Sequence, residues 1–224
     1  TLMIFGQGAI RCHPYAYREI QAMEKCDLAA FDAAFFGHIG HVGRNKVRAF
    51  LLSLTRGRLA RTGLTGRSGR YAQKLAWASA TFAFTADVAM ALLGGNLKRK
   101  ESLTGRFSDA FSWMYLATTV LRRFEADGRR AEDEAFFTWA MEHALAQIQD
   151  ALDGIFRNFD VPLIGWLYRG PIALWSRLNS LGHGPSDRHV LAVATALQTP
   201  DARRERLLDG LYVPTDVEQA VGRL

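Results

Sequence analysis

The segment Gly37-His38-Ile39-Gly40-His41-Val42-Gly43 sets two histidines three positions apart. On a helix that spacing turns both imidazoles to one face, where they can offer two nitrogen ligands to a metal ion. A metal site wants three or four ligands, and no Glu or Cys stands at helical spacing to complete the set. The pair is therefore read as hydrogen-bonded histidines in a helix-packing seam, with the glycines at 37, 40 and 43 admitting another backbone. No residue is assigned to a metal.

Other candidates are weaker. Arg56, Arg58, Arg61, Arg67 and Arg70 crowd a glycine-rich turn, which can hold phosphate groups or can simply be a solvated surface. Gly6-Gln7-Gly8 resembles the start of a dinucleotide loop, but Arg11 stands where the third glycine belongs and no strand precedes it. Ser, His and Asp occur without a nucleophile elbow, so no catalytic triad is legible. Glu132, Asp133 and Glu134 read as an acidic first turn that complements a helix dipole.

The elements that must carry these residues are helical. Leu28, Phe31, Phe35, Ile39 and Val42 recur at three and four residues, with Asp27 ahead of them as N-cap. A second helix is expected over 47–59, with Phe50, Leu51 and Leu54 on one face, ended by Gly63 and Gly66. The apolar run 71–93, whose part 75–93 holds one charge, Asp87, is long enough to cross a membrane at about twenty residues. Asp87, Ser79, Thr81 and Thr85 in its middle favour a buried core helix, which Gly94-Gly95 ends. Further helices are expected over 103–127, closed by Gly128, and over 132–159, with Phe136, Trp139, Ala140, His143, Ile148, Leu152 and Ile155 around one face. The stretch 161–178 holds Pro162, Gly165, Gly170 and Pro171 among apolar residues and reads as a broken apolar hairpin. Short helices follow over 186–199, capped by Ser186 or Asp187, over 200–208 and over 212–224. The fold class is all-α: an antiparallel helical bundle over 1–160 and a looser helical extension over 161–224. Trp77, Phe82, Phe84, Met90, Trp113, Leu116, Phe136 and Trp139 are the expected core.

With 224 residues, 49% of them apolar, the chain can bury a sizeable core. Cys12 and Cys26 form no ligand cluster and are expected to be free buried thiols. A net charge of +6 and a pI near 9.6 permit an anionic membrane, a phosphorylated ligand or nucleic acid. Nucleic acid is set aside because the basic residues are dispersed over many helices. The chain opens on Thr1 followed by the apolar Leu2-Met3-Ile4-Phe5, as if a boundary lay inside an element, and no signal peptide is legible.

Several long motifs then go further than periodicity. Leu2-Met3-Ile4-Phe5-Gly6-Gln7-Gly8-Ala9-Ile10-Arg11-Cys12-His13-Pro14-Tyr15, the segment Phe36 to Arg48, Leu54-Thr55-Arg56-Gly57, the segment Asp87 to Arg99, and Tyr115-Leu116-Ala117 resemble the long bacterial acyl-CoA dehydrogenases of fatty-acid degradation. The likeness is strong over residues 1–160 and looser over 185–214. It implies the C-terminal helical part of an FAD enzyme that converts fatty acyl-CoA to trans-2-enoyl-CoA in β-oxidation. A glutamate removes the α-proton while the β-hydrogen leaves as hydride to FAD. The resemblance sets that glutamate upstream of Leu2, so no catalytic residue is assigned here and no cofactor-binding residue is matched. It also implies an electron-transfer acceptor, a homo-oligomer and a bacterial cytoplasmic location, with peripheral contact at the inner membrane. The competing reading is a non-catalytic membrane-docking or oligomerisation domain of that enzyme. It rests on Leu163, Ile164, Trp166, Leu167, Tyr168, Ile172, Leu174 and Trp175 beside Arg157, Arg169 and Arg177.

Overall fold

The structure, a computed structural model, describes residues 11, 13–161 and 164–211. Eight helices run through the described residues, and no strand occurs among them. Gly6-Gln7-Gly8, Cys12, Pro162, Leu163 and the helix expected over 212–224 lie outside the described residues.

Helix α1 (Ala16–Glu24) leads into α2 (Leu28–Leu54). Asp27 caps α2 as expected, its carboxylate accepting the Ala30 N–H at 3.0 Å. The two helices expected over 28–42 and 47–59 are one continuous element, because nothing between them breaks the backbone ladder. After α2 the chain turns through Arg56 and Gly57, both with positive φ. A Cβ on Gly57 would lie 2.6 Å from the Gln73 carbonyl oxygen, so only glycine lets this turn press against the next helix.

That next helix, α3 (Gly66–Leu93), is the centre of the bundle. It is long and apolar enough to span a membrane. Here it lies between α2, α4 and α5, and buries Leu75, Trp77, Ala78, Thr85, Asp87 and Ala89. Gly94, at φ 49, ends it, and a 3-10 turn (Gly94–Arg99) hands over to α4 (Glu101–Ala126). Gly128 makes the tight turn to α5 (Glu134–Arg157).

Helices α4 and α5 form the closest pair, and with Phe159 they supply the innermost side chains: Phe107, Met141, Leu145, Ile148, Ile155 and Phe159. Trp77 is buried as expected, while Phe82, Phe84, Met90, Trp113, Phe136 and Trp139 are only half-buried. Leu116 corrects the expectation outright at 47% exposed. The inward face of α4 runs through Phe107, Ala110, Ala117 and Leu121, and Leu116 sits one residue off it. On α5 the inward face is Phe137, Met141, Leu145 and Ile148, one residue round from the stripe expected at Phe136, Trp139 and Ala140.

The stretch after Val161 is not a hairpin. Helix α6 winds without interruption through Gly165–Leu167, a π turn (Tyr168–Ile172) and Ala173–Leu178. Pro171 has no N–H to donate, and its ring would strike a carbonyl of the preceding turn of an α-helix; the wider turn makes room. Tyr168, Ala173 and Leu181 join the same buried cluster as α3 and α5. Helix α7 (Asp187–Gln198), capped by Ser186, packs on α5, and α8 (Ala202–Leu208) is capped by Asp201. Cys26 is exposed rather than buried, in the left-handed turn between α1 and α2.

Candidate functional site

The histidine pair of α2 acquires a partner that no spacing within one helix reveals. His13, just before α1, brings its ring within 4.5 Å of the His38 ring and 5.4 Å of the His41 ring, centroid to centroid. Its Nε2 lies 3.2 Å from Oδ1 of Asp87 on α3, with both side chains almost fully buried. One potential ligand atom each from His13, His38 and Asp87 fall within 4.8 Å of one another, the spread of a three-ligand metal site.

The hydrogen bonds decide how this cluster is protonated. His13 Nδ1 accepts the backbone N–H groups of Tyr15 at 3.2 Å and Ala16 at 2.9 Å, and so caps α1. A neutral imidazole has one lone pair, and these donors occupy it, so Nε2 carries the proton; it lies 3.2 Å from Asp87 Oδ1 without a hydrogen bond to it. A metal ion would need that Nε2 lone pair. His13 caps α1 and packs against the Asp87 carboxylate, and Glu19 bonds His38 Nδ1 at 2.8 Å, so the cluster forms a polar joint among three elements. His41, bonded to Asn45 at 2.9 Å, has its pKa lowered chiefly by burial, with Asp87 opposing. Asp87 Oδ2 has no hydrogen-bond partner.

The glycines beside the histidines divide. A Cβ on Gly37 would overlap the Tyr15 ring, whereas Gly43 meets nothing among the described residues. The seam thus admits one aromatic ring, not a second backbone.

The arginine turn lies at the surface, with Arg56, Arg58, Arg61 and Arg67 exposed, yet three of its arginines bond to the protein. Arg56 Nε donates to Asn179 Oδ1 at 2.7 Å, and Asn179 donates in turn to the Ser53 carbonyl at 2.6 Å. Arg70 donates to the Arg56 carbonyl, Arg67 to Thr138 and Glu134, and Lys74 to the Leu181 carbonyl. The turn latches the segment after α6 onto α2 and α3. Burial, then neighbouring cations, lower the pKa of Arg70 and, with Glu142 opposing, of Lys74. Arg58 and Arg61 stay exposed. Three of its guanidiniums are thus held by protein acceptors.

An apolar cavity of about 760 Å³ opens between α2, α3, α5 and α6. Trp77, Phe84, Val88, Leu152, Phe156 and Ile172 line it, and Lys46 is its one charged residue. Phe50 and Leu54 stand more than half exposed around it, and Trp175 is 45% exposed. Sequence reasoning missed this cavity, because its walls come from four separate helices.

The described residues form a helical bundle with a buried polar joint and an apolar cavity. Residues 10–224 match the bacterial-type acyl-CoA dehydrogenase C-terminal family, and the chain belongs to that family. No solved structure matches the chain.

Proposed function

We propose that the chain is the C-terminal part of an FAD-dependent enzyme that oxidises fatty acyl-CoA to trans-2-enoyl-CoA in β-oxidation, and that this part is its non-catalytic docking domain. Membership of the acyl-CoA dehydrogenase C-terminal family supports the enzyme class. The reaction needs an accessible base for the α-proton and a hydride acceptor, which FAD supplies when bound. His13 and Asp87 are too deeply buried to reach an acyl thioester, and the arginine turn is engaged elsewhere. The family resemblance sets the base upstream of Leu2. The chain alone should be colourless and inactive on palmitoyl-CoA, since loss of a base alone costs about 10²- to 10⁴-fold.

One observation carries the docking role. Helix α6 keeps Trp166 66% and Leu178 69% exposed, with Leu174 between them and Arg169 and Arg177 beside them. Exposed Trp and Leu flanked by arginine suit an anionic membrane interface, where the ring and the cation share the headgroup layer. The protein would then be bacterial, cytoplasmic and peripheral at the inner membrane, close to acyl substrates that partition there and to an electron-transfer acceptor.

Co-sedimentation with phosphatidylglycerol and phosphatidylcholine vesicles tests this. The native chain should pellet with the anionic vesicles, and a Trp166→Ser/Leu178→Ser variant should stay in the supernatant. Equal recovery of both in the supernatant ends the docking reading. A second reading rests on α2, where Phe35, Phe36 and Ile39 form an exposed apolar face suited to a second copy of the chain. A monomer by light scattering, at concentrations where Phe36→Ser changes nothing, removes it.

A further inference from the structure

We propose that the cavity between α2, α3, α5 and α6 binds one long alkyl chain carrying an anionic head. Its volume, about 760 Å³, falls within the range of small-ligand sites. What decides the class of ligand is the state of the polar groups in its wall. Thr85 donates its hydroxyl to the Thr81 carbonyl at 2.8 Å. The Gln149 amide nitrogen donates to Ser176 Oγ and to Asp153, while its oxygen accepts the Leu181 N–H at 2.8 Å. Ser176 donates to Asp153, and the Ser53 hydroxyl accepts from Trp175. These groups already have protein partners; among the described residues, the Tyr168 hydroxyl is the one fully buried wall group without a hydrogen-bond partner.

A nucleotide, sugar or peptide in the body of the cavity would find one open hydroxyl for its many polar atoms and leave most of them unpaired, which is costly out of water. An alkyl chain brings none. The one charge in the lining is the Lys46 ammonium on α2, which among the described residues forms no ion pair. It supplies the counter-charge for a carboxylate or phosphate head at the mouth. Phe50, Leu54 and Trp175 make that mouth apolar, so a chain can enter without crossing a polar rim. The π turn at Tyr168–Ile172 forms part of the wall through Tyr168, Pro171 and Ile172. The inference shares its apolar surface with the docking reading and is independent of the dehydrogenase chemistry.

Trp77 and Trp175 both line the cavity, so they report on it directly. The test is quenching of tryptophan fluorescence in the 224-residue chain by brominated fatty carboxylates kept below their micelle concentration. Quenching should saturate, and affinity across a carboxylate series should rise about fourfold per added methylene until the cavity is full. Val88→Phe, which fills the cavity, should abolish it. Lys46→Glu, at an exposed position, should weaken binding of the carboxylate about tenfold and leave a fatty alcohol of equal length unchanged. If Val88→Phe fails to fold, the Lys46 pair still decides.

A second arm presents the same brominated chain as a phosphatidylglycerol tail in vesicles. Quenching there that Val88→Phe weakens assigns the bilayer as a source of the chain, and quenching by free acid alone assigns the soluble pool; either supports the site. Folded protein that no chain quenches, or free-acid quenching with no chain-length dependence, overturns it. Vesicle binding with quenching that Val88→Phe leaves unchanged would keep the docking role, through Trp166 at the interface, and overturn the cavity, and free-acid quenching without vesicle binding the reverse.

Discussion

The indole Nε1 of Trp175 donates to the Ser53 hydroxyl at 2.7 Å, a bond that joins residues 122 positions apart. It crosses from α6 to α2 at the mouth of the apolar cavity. Asn179 makes a parallel crossing to the Ser53 carbonyl. Together they fix α6 against the bundle although much of its outer face is exposed.

Trp175→Phe keeps the ring and deletes the donor. The bond is partly solvated, so its loss should cost about 0.5–1.5 kcal/mol, toward the lower end. Urea unfolding followed by far-UV circular dichroism would measure it. A loss above about 3 kcal/mol would mean that Trp175 does more than bridge to Ser53.

Phe159 is fully buried, with its ring centroid 4.4 Å from that of Tyr168. Phe159→Ala should destabilise the fold by about 3–5 kcal/mol, through lost transfer energy and the hole left behind. It should also loosen α6, which amide exchange in residues 165–178 would report.

The joint at His13 predicts a negative result with a metal. A stoichiometric excess of Zn²⁺ should leave the melting temperature unchanged, because the Nε2 that faces Asp87 carries a proton. Were the cluster a ligand set, metal at 100 times its dissociation constant would stabilise the fold by about 2.7 kcal/mol. A clear upward shift, abolished in Asp87→Asn, would show that the tautomer assignment is wrong.

His41 sets a direction for the pH response. Its folded pKa lies below its ordinary value of 6.5, mainly through burial. The unfolded chain therefore takes up the proton first as pH falls. The contribution is fully present above pH 6.5 and is lost as pH drops through the folded value. His41→Asn should flatten that part of the stability profile, measured by urea midpoints at a series of pH values. An unchanged slope in the variant would assign the acid sensitivity to other groups.

The ends of elements were legible because local chemistry decides them. Asp27, Ser186, Gly94 and Gly128 each satisfy or free backbone groups within a few residues of themselves. The direction of a face was less legible. Phe35, Ile39 and Leu54 keep helical spacing yet are exposed, since a stripe records that a face is apolar and not what covers it. The polar joint was invisible for a different reason. His13, His38 and Asp87 come from three separate elements, and spacing along one helix cannot see a partner on another. Pro171 marked a break that the chain absorbed by widening one turn.

That widened turn lets α6 hold one residue more than its length requires. A five-residue π turn advances about as far around and along the axis as four α-helical residues, so the extra residue is absorbed within the turn. The residues after it, Trp175 and Ser176 among them, meet their partners in the phase of an ordinary helix one residue shorter. A related chain lacking a single residue between 168 and 172 would restore the ordinary helix and keep the indole beside Ser53. A one-residue gap in this stretch would therefore mark relatives whose cavity wall loses its bulge while its mouth is retained.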